Sequence, residues 1–213
     1  GDPMSAGRLR VALIGYGGVG RVFHAPPIGH TPGREFALVA SLRGDELARA
    51  LPGVEVLATP QQSSYRGDID LAVVASPNAT HAAQAEAALR AGRHVAVGMR
   101  FTHSLAVARD LARLAARSGR VLAVFCNRRW DSDFLALREL LAGGQFGRLT
   151  WLESRFDHFP PQLQDRWRER ADDGGGVGLD LGPHRVDRAL QLFGLPARVG
   201  ARLSRQRDGA VAA

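Results

Sequence analysis

The chain is expected to fold as an α/β protein in two parts: a doubly wound parallel sheet over residues 1–127, then an α/β domain with an open, largely antiparallel sheet over residues 128–213. Three observations predict this. From Leu9 onward short β-rich runs alternate with longer helical ones, the signature of parallel strands joined by crossover helices. The first apolar run leads straight into "GYGGVG", glycines in G-x-G-x-x-G spacing at a helix start. After Arg129 the rhythm changes to longer segments separated by a Pro- and charge-rich loop.

In order, the strand candidates of the first part are "LRVALIG", "FALVAS", "VEVLA", "DLAVVAS", "HVAVG" and "VLAVFCN". Each is a short continuous apolar run, as expected for strands covered on both faces. Helices are expected to start near Val19, Asp45, Ala79, Leu105 and Ser132, the fourth carrying an apolar stripe of Leu105, Ala108, Leu111, Ala112 and Ala115. The second part reads as the helix "DFLALRELLAGG", a long strand "GRLTWLESRFDHF", the loop, a glycine-opened helix "GGGVGLDLGPHRVDRALQLFG" and a strand "RVGARLSR". Two strands are too few for an independent sheet, so either residues are missing or another chain completes it, and a homo-oligomer through this sheet is expected.

Composition narrows the class. Of 213 residues, 45% are hydrophobic and 23% charged, as in globular proteins, and no window holds the roughly eighteen uninterrupted apolar residues a membrane span needs. The N-terminus lacks the layout of a signal peptide, which makes the cytoplasm the expected location. Cys126 is the single cysteine, so no cysteine-cluster metal site is expected, and its apolar setting suits an inert thiol. The net charge is +7, yet all 28 basic residues are arginine and they are scattered, which argues against a nucleic-acid surface. With no lysine in the chain, neither a Schiff base nor a lysine proton donor exists here.

Several motifs bear on chemistry. Gly15 permits a tight turn, Gly17 a close approach of backbone to pyrophosphate, and Gly20 close helix–strand packing, with Gly18 and Val19 at the helix N-terminus; the alternative is a purely structural turn. The apolar strand before it and the helix after it favour dinucleotide binding. At the end of the second strand, Ser41 and Arg43 stand where an acidic residue would hold a ribose hydroxyl, favouring NADP over NAD, unless Arg43 is an ordinary surface arginine. "SPNATH" opens the next helix, and local physics alone makes Asn78 a helix cap and His81 a first-turn residue. In "LDLGPHRVD", Asp180, His184 and Asp187 share a helix face. An imidazole between two carboxylates is expected to have a raised pKa and to suit proton transfer, although a surface ion cluster has the same spacing.

Taken together, "GYGGVGRVFHAPPI", "SPNATHAAQAEAALRAGRHV", "NRRWDSDFLALRELL", "ESRFDHFPP", "WRER" and "DLGPHRVDRALQLFG" resemble the glucose-fructose oxidoreductase, inositol dehydrogenase and rhizopine-catabolism (Gfo/Idh/MocA) family of NAD(P)-dependent oxidoreductases. The resemblance spans nearly the whole chain. It implies pyrophosphate at Gly15, Gly17 and Gly20, the adenosine end at Ser41 and Arg43, and the cofactor nearer its nicotinamide at Ser76, Pro77, Asn78 and His81. It implies an active-site pair in Asp180 and His184, closure over the cofactor by Trp167 and Arg168, and a substrate pocket lined by Asn127 and Arg128.

One stretch departs from the family. Where members usually read Glu-Lys-Pro, this chain has Gly98-Met99-Arg100, so a thioether beside the substrate replaces an ammonium that polarises its oxygen. Arg100 is able to stabilise an anion but not to exchange a proton usefully. The reading is therefore an NADP-dependent oxidoreductase for a sugar-, polyol- or carbonyl-containing small molecule, with His184 moving the proton and Arg100 as oxyanion partner. The alternative is a cofactor-binding, catalytically impaired subunit or sensor. A weaker third reading keeps the cofactor for elimination or epimerisation through a transient ketone.

Overall fold

The structure, a computed structural model, describes residues 7–42, 44–59, 66–157, 162 and 176–204. It divides into two compact units, Gly1–Phe125 and Cys126–Ala213.

The first unit is a six-stranded sheet: β1 (Leu9–Ile14), β2 (Arg34–Ala40), β3 (Glu55–Leu57), β4 (Leu71–Val74), β5 (His94–Val97) and β6 (Leu122–Val124). The spatial order is β3-β2-β1-β4-β5-β6 and every pairing is parallel, the doubly wound arrangement expected. After β1 a π-helical turn (Gly20–His24) runs into α1 (Ala25–His30). The other helices are α2 (Gly44–Ala50), α3 (His81–Arg90) and α4 (Leu105–Ser118).

Strand alternation sorts the core into two layers. Val11 and Leu13 of β1 join Val39 and Val73 beneath Ala25, Ile28 and Leu47, while Ile14, Val74 and Val97 on the opposite face meet Ala85, Leu89, Leu111 and Ala115. Each fully buried side chain of this size contributes about 1.5–3 kcal/mol. The faces of α4 differ slightly from expectation: Leu111, Leu114 and Ala115 pack on the sheet, whereas Leu105 is exposed. That helix is bounded by Ser104, whose hydroxyl accepts from the Val107 amide, and by Gly119 at φ +62°.

Because the chain leaves β1 for β2 on one side and returns to β4 on the other, the crossovers diverge between β1 and β4. Their carboxyl ends border the crevice where such sheets bind ligands.

The second unit contains a 3₁₀ turn (Asn127–Trp130), α5 (Ser132–Ala142) and α6 (Val177–Phe193). The two strands expected here differ from the structure. In the described parts of both runs, up to Asp157 and from Arg198 to Ser204, no residue is in a hydrogen-bonded strand. The reason is physical: a strand is defined by a partner, and neither run finds one among the described residues. Trp151 and Val199 accordingly stand exposed.

Candidate functional site

The carboxyl ends of β1, β4 and β5 are tied together by backbone contacts that depend on residue type. Gly15 has φ +96°, and a Cβ there would lie 2.7 Å from the Ser76 amide nitrogen and 2.8 Å from the Ala75 carbonyl oxygen. A Cβ on Gly20 would lie 2.2 Å from the Gly15 oxygen. Both positions exclude any side chain. A Cβ on Gly17 or Gly18, by contrast, would meet nothing within 4 Å, so the turn is closed toward β4 and open on its outer side, with Val19 beginning the helix. This is the shape in which backbone amides at a helix start accept a pyrophosphate.

Ser41 follows β2, its amide donating to the Leu57 carbonyl (2.9 Å). Arg43, expected beside it, lies outside the described residues, as do Trp167 and Arg168.

The "SPNATH" loop joins β4 to α3. Asn78 is buried and does not cap a helix, contrary to expectation; its Oδ1 accepts from the Arg100 amide (3.3 Å). His81 is 2% exposed, with Nδ1 2.6 Å from the Arg100 carbonyl oxygen and Nε2 2.7 Å from that of Ser76. Any contact of this ring with a cofactor would have to displace one of those carbonyls. Ser76, ahead of Pro77, donates its hydroxyl to Gln84 Oε1 (2.5 Å), a partner one turn into α3 that the sequence motif did not single out.

Met99 is half-buried and Arg100 is buried, with its Nη1 3.4 Å from His103 Nδ1. Burial and the neighbouring Arg100 charge, with a smaller contribution from His81, hold the His103 imidazole below its ordinary range.

The second unit carries the proton-handling candidates. Asp180, His184 and Asp187 lie on α6 as the spacing predicted, but the raised imidazole pKa does not follow. Burial is the largest influence on His184 and pushes it down; Arg128 and Arg188 act in the same direction, and Asp180 and Asp187 oppose them without winning. Asp187 is committed elsewhere, accepting from Arg129 Nε at 2.7 Å. His184 Nδ1 is buried without a hydrogen-bond partner. Asn127 and Arg128 sit in the 3₁₀ turn, half-buried, and Arg188 donates to the Arg128 carbonyl (2.9 Å) and to Asp131 Oδ2 (2.7 Å). Cys126 is half-buried, and burial raises its thiol pKa, in keeping with an inert side chain.

Sequence reasoning named Arg128 through the family resemblance but passed over Arg185 and Arg188. Arg185 and Arg128 both place their guanidinium groups over the Phe156 ring, at 5.0 and 5.2 Å from its centroid. The available signal was Arg185 itself, next to the candidate histidine.

Among the described residues no group of His, Cys, Asp and Glu is arranged to hold a metal ion, and no helix is long and apolar enough to cross a membrane.

Two family models match. Residues 9–126 match the NAD-binding Rossmann-fold domain of the GFO/IDH/MocA oxidoreductase family and residues 134–213 match the GFO/IDH/MocA C-terminal domain. YdgJ of Escherichia coli, an uncharacterized oxidoreductase, is 48% identical over 95% of the chain and 58% of its own length. The Bacillus subtilis scyllo-inositol 2-dehydrogenase (NADP(+)) IolW is 32% identical over 95% and 56%. A solved structure from Yersinia pestis superposes with a TM-score of 0.88 at 45% identity, covering 96% of this chain and 58% of that one. One from Klebsiella pneumoniae has a TM-score of 0.86 at 46% identity, covering 97% and 56%. The chain thus spans somewhat over half the length of these relatives. With the glycine turn at the strand crossover and both domain models matched in order, the chain belongs to the GFO/IDH/MocA family of oxidoreductases.

Proposed function

We propose that this chain carries the cofactor site and the proton-transfer group of an NADP-dependent oxidoreductase acting on a sugar-, polyol- or carbonyl-containing small molecule. The observation that carries the reading is the Gly15–Gly20 turn, packed against Ser76 on one side and open on the other at the β1/β4 crossover. These residues fit a dinucleotide: the closed side admits no Cβ, and the open side leaves backbone amides free to approach phosphate oxygens.

When bound, the nicotinamide supplies or accepts the hydride. In this reading Gly15, Gly17, Gly18, Val19 and Gly20 hold the pyrophosphate, and Ser41 and Arg43 grip the 2′-phosphate of the adenosine end. Ser76, Pro77 and Asn78 border the nicotinamide end, and Trp167 and Arg168 cover it. His81 fixes that border by bridging the Ser76 and Arg100 carbonyls.

Asn127, Arg128 and Met99 line the substrate, and Arg100 offsets negative charge on its oxygen. His184 takes up the proton released from a substrate hydroxyl. Its lowered pKa keeps the imidazole neutral near pH 7 and therefore ready to accept, and the Asp180 carboxylate favours the imidazolium that results. The relative named as an NADP(+)-dependent scyllo-inositol dehydrogenase supports both the cofactor and the polyol class.

Met99 favours a second reading. With no lysine in the chain, the protein would bind cofactor as a subunit or sensor with little turnover. Titrating NADPH and NADH by fluorescence, then following absorbance and product mass with candidate polyols and ketones, separates the two. A charge-assisted contact to the 2′-phosphate is worth about 1.5–3 kcal/mol, so NADPH should bind tenfold or more tightly than NADH, and Arg43→Ala should erase the preference. Equal affinity for both cofactors in the unmutated protein overturns the NADP assignment, and tight cofactor binding without hydride transfer leaves the subunit or sensor reading standing.

A further inference from the structure

Beside His184 the second unit concentrates positive charge in a way that the carboxylates among the described residues do not fully answer. The Arg128 and Arg185 guanidinium groups rest on one aromatic ring, that of Phe156. Two like charges against one small apolar surface are costly unless an anion lies near. The Arg185 hydrogen bond is to a neutral group, Nη1 donating to Ser154 Oγ at 2.5 Å. Arg128 Nη1 reaches Asp131 Oδ2 only at 3.4 Å, longer than a normal charge-assisted contact, because Arg188 holds the same oxygen at 2.7 Å. Arg188 is satisfied further by Asp133 at 3.2 Å and by the Arg128 carbonyl at 2.9 Å.

We infer that Arg128 and Arg185, braced on Phe156, bind a carboxylate or phosphate group carried by the substrate, with His184 next along the helix. The inference rests on the oxidoreductase reading above and narrows its substrate from any small polyol to an anionic one.

The electrostatics agree with the geometry. Burial, Arg188 and Arg128 all push the Arg185 guanidinium below its ordinary pKa, and among the described residues Asp157 opposes them. Arg128 and Arg188 likewise act to depress His184, against Asp180 and Asp187. Each planar guanidinium also offers parallel donors that match both oxygens of a carboxylate or two of a phosphate. An anion between them would offset their repulsion.

The test uses the whole chain saturated with NADPH, so that the glycine turn is occupied, and titrates inorganic phosphate, acetate and, as a neutral control, glycerol. Binding is read from arginine Nε–Hε resonances, and NADPH affinity is measured on the same samples. One or both anions should shift guanidinium resonances of the second unit while glycerol does not; phosphate against acetate tells which oxyanion is preferred. Arg128→Gln and Arg185→Gln should each weaken anion binding about tenfold or more, and Arg138→Gln, an exposed arginine on α5, should leave it unchanged. If Arg185→Gln does not fold, Arg185→Lys, which keeps the charge but loses the planar fork, should give a smaller loss in the same direction. The inference is overturned if neither anion shifts these resonances, or if both glutamine variants retain wild-type affinity. Normal NADPH binding alongside either result leaves the oxidoreductase reading intact, whereas absent NADPH binding counts against that reading alone.

Discussion

His24 should make this protein lose stability between pH 7 and pH 5. The ring is 6% exposed, packed at 4.2 Å on Phe125, with Nε2 buried and without a hydrogen-bond partner, and burial pushes its pKa from 6.5 to about 4. An unfolded chain binds the proton near pH 6.5 and the folded one resists it until about pH 4. The unfolded state therefore gains protons first, and stability falls as the pH drops through this window. With these two values the loss is about 0.2 kcal/mol at pH 7 and about 2 kcal/mol at pH 5, approaching a ceiling of about 3.4 kcal/mol below pH 4.

His103 and His184 are also depressed and add to the same slope, so the contribution of His24 must be isolated by difference. Urea unfolding of the wild type and of His24→Leu at pH 7 and pH 5 does this. The wild type should lose about 1.8 kcal/mol more than the variant over that interval, whatever the absolute stability of either. Asp68, held low by Arg66, titrates below the window and does not interfere. A difference between the two slopes under about 0.5 kcal/mol, or a His24 C2–H resonance titrating near its ordinary pKa of about 6.5, would refute the reasoning.

Gly15→Ala should cost more than the roughly 1 kcal/mol of an average point substitution, because the new methyl meets the Ser76 amide at 2.7 Å in a backbone conformation unsuited to L residues; thermal unfolding together with loss of NADPH affinity checks it. His184→Ala should lower turnover by about 10²–10⁴ with cofactor affinity unchanged, measured by steady-state kinetics beside NADPH titration. Polyol dehydrogenase turnover should be low in the wild type and higher in Met99→Lys, or more fairly in Gly98→Glu, Met99→Lys, Arg100→Pro; rapid wild-type turnover that Met99→Lys impairs would show a site rebuilt without the lysine. The triple change carries its own structural test, since a Cβ at position 98 would stand 3.2 Å from His81 Cε1 and 3.3 Å from the Val74 oxygen.

Much of the first unit was legible in the linear sequence. Apolar runs covered on both faces, helices between them and the tight positions Gly15 and Gly20 are local features that correspond to observed strands, crossovers and close approaches. The placing of Asp180, His184 and Asp187 on one helix was legible for the same reason, because helical period alone decides it.

What only the tertiary structure decided is everything that sums over distant parts of the chain. The charge environment of His184 is dominated by burial and by Arg128, more than fifty residues away, so two carboxylates at helical spacing pointed in the wrong direction. His81 and Asn78 looked like residues of a helix start, yet their partner is the backbone of Arg100, about twenty positions on, which sits beside them only because β4 and β5 are neighbours. The runs around Trp151 and Arg202 had the composition of strands but have no strand partner among the described residues. Sequence determines local preference and periodicity, whereas burial, electrostatic potential and strand pairing exist only once segments remote in sequence are brought together.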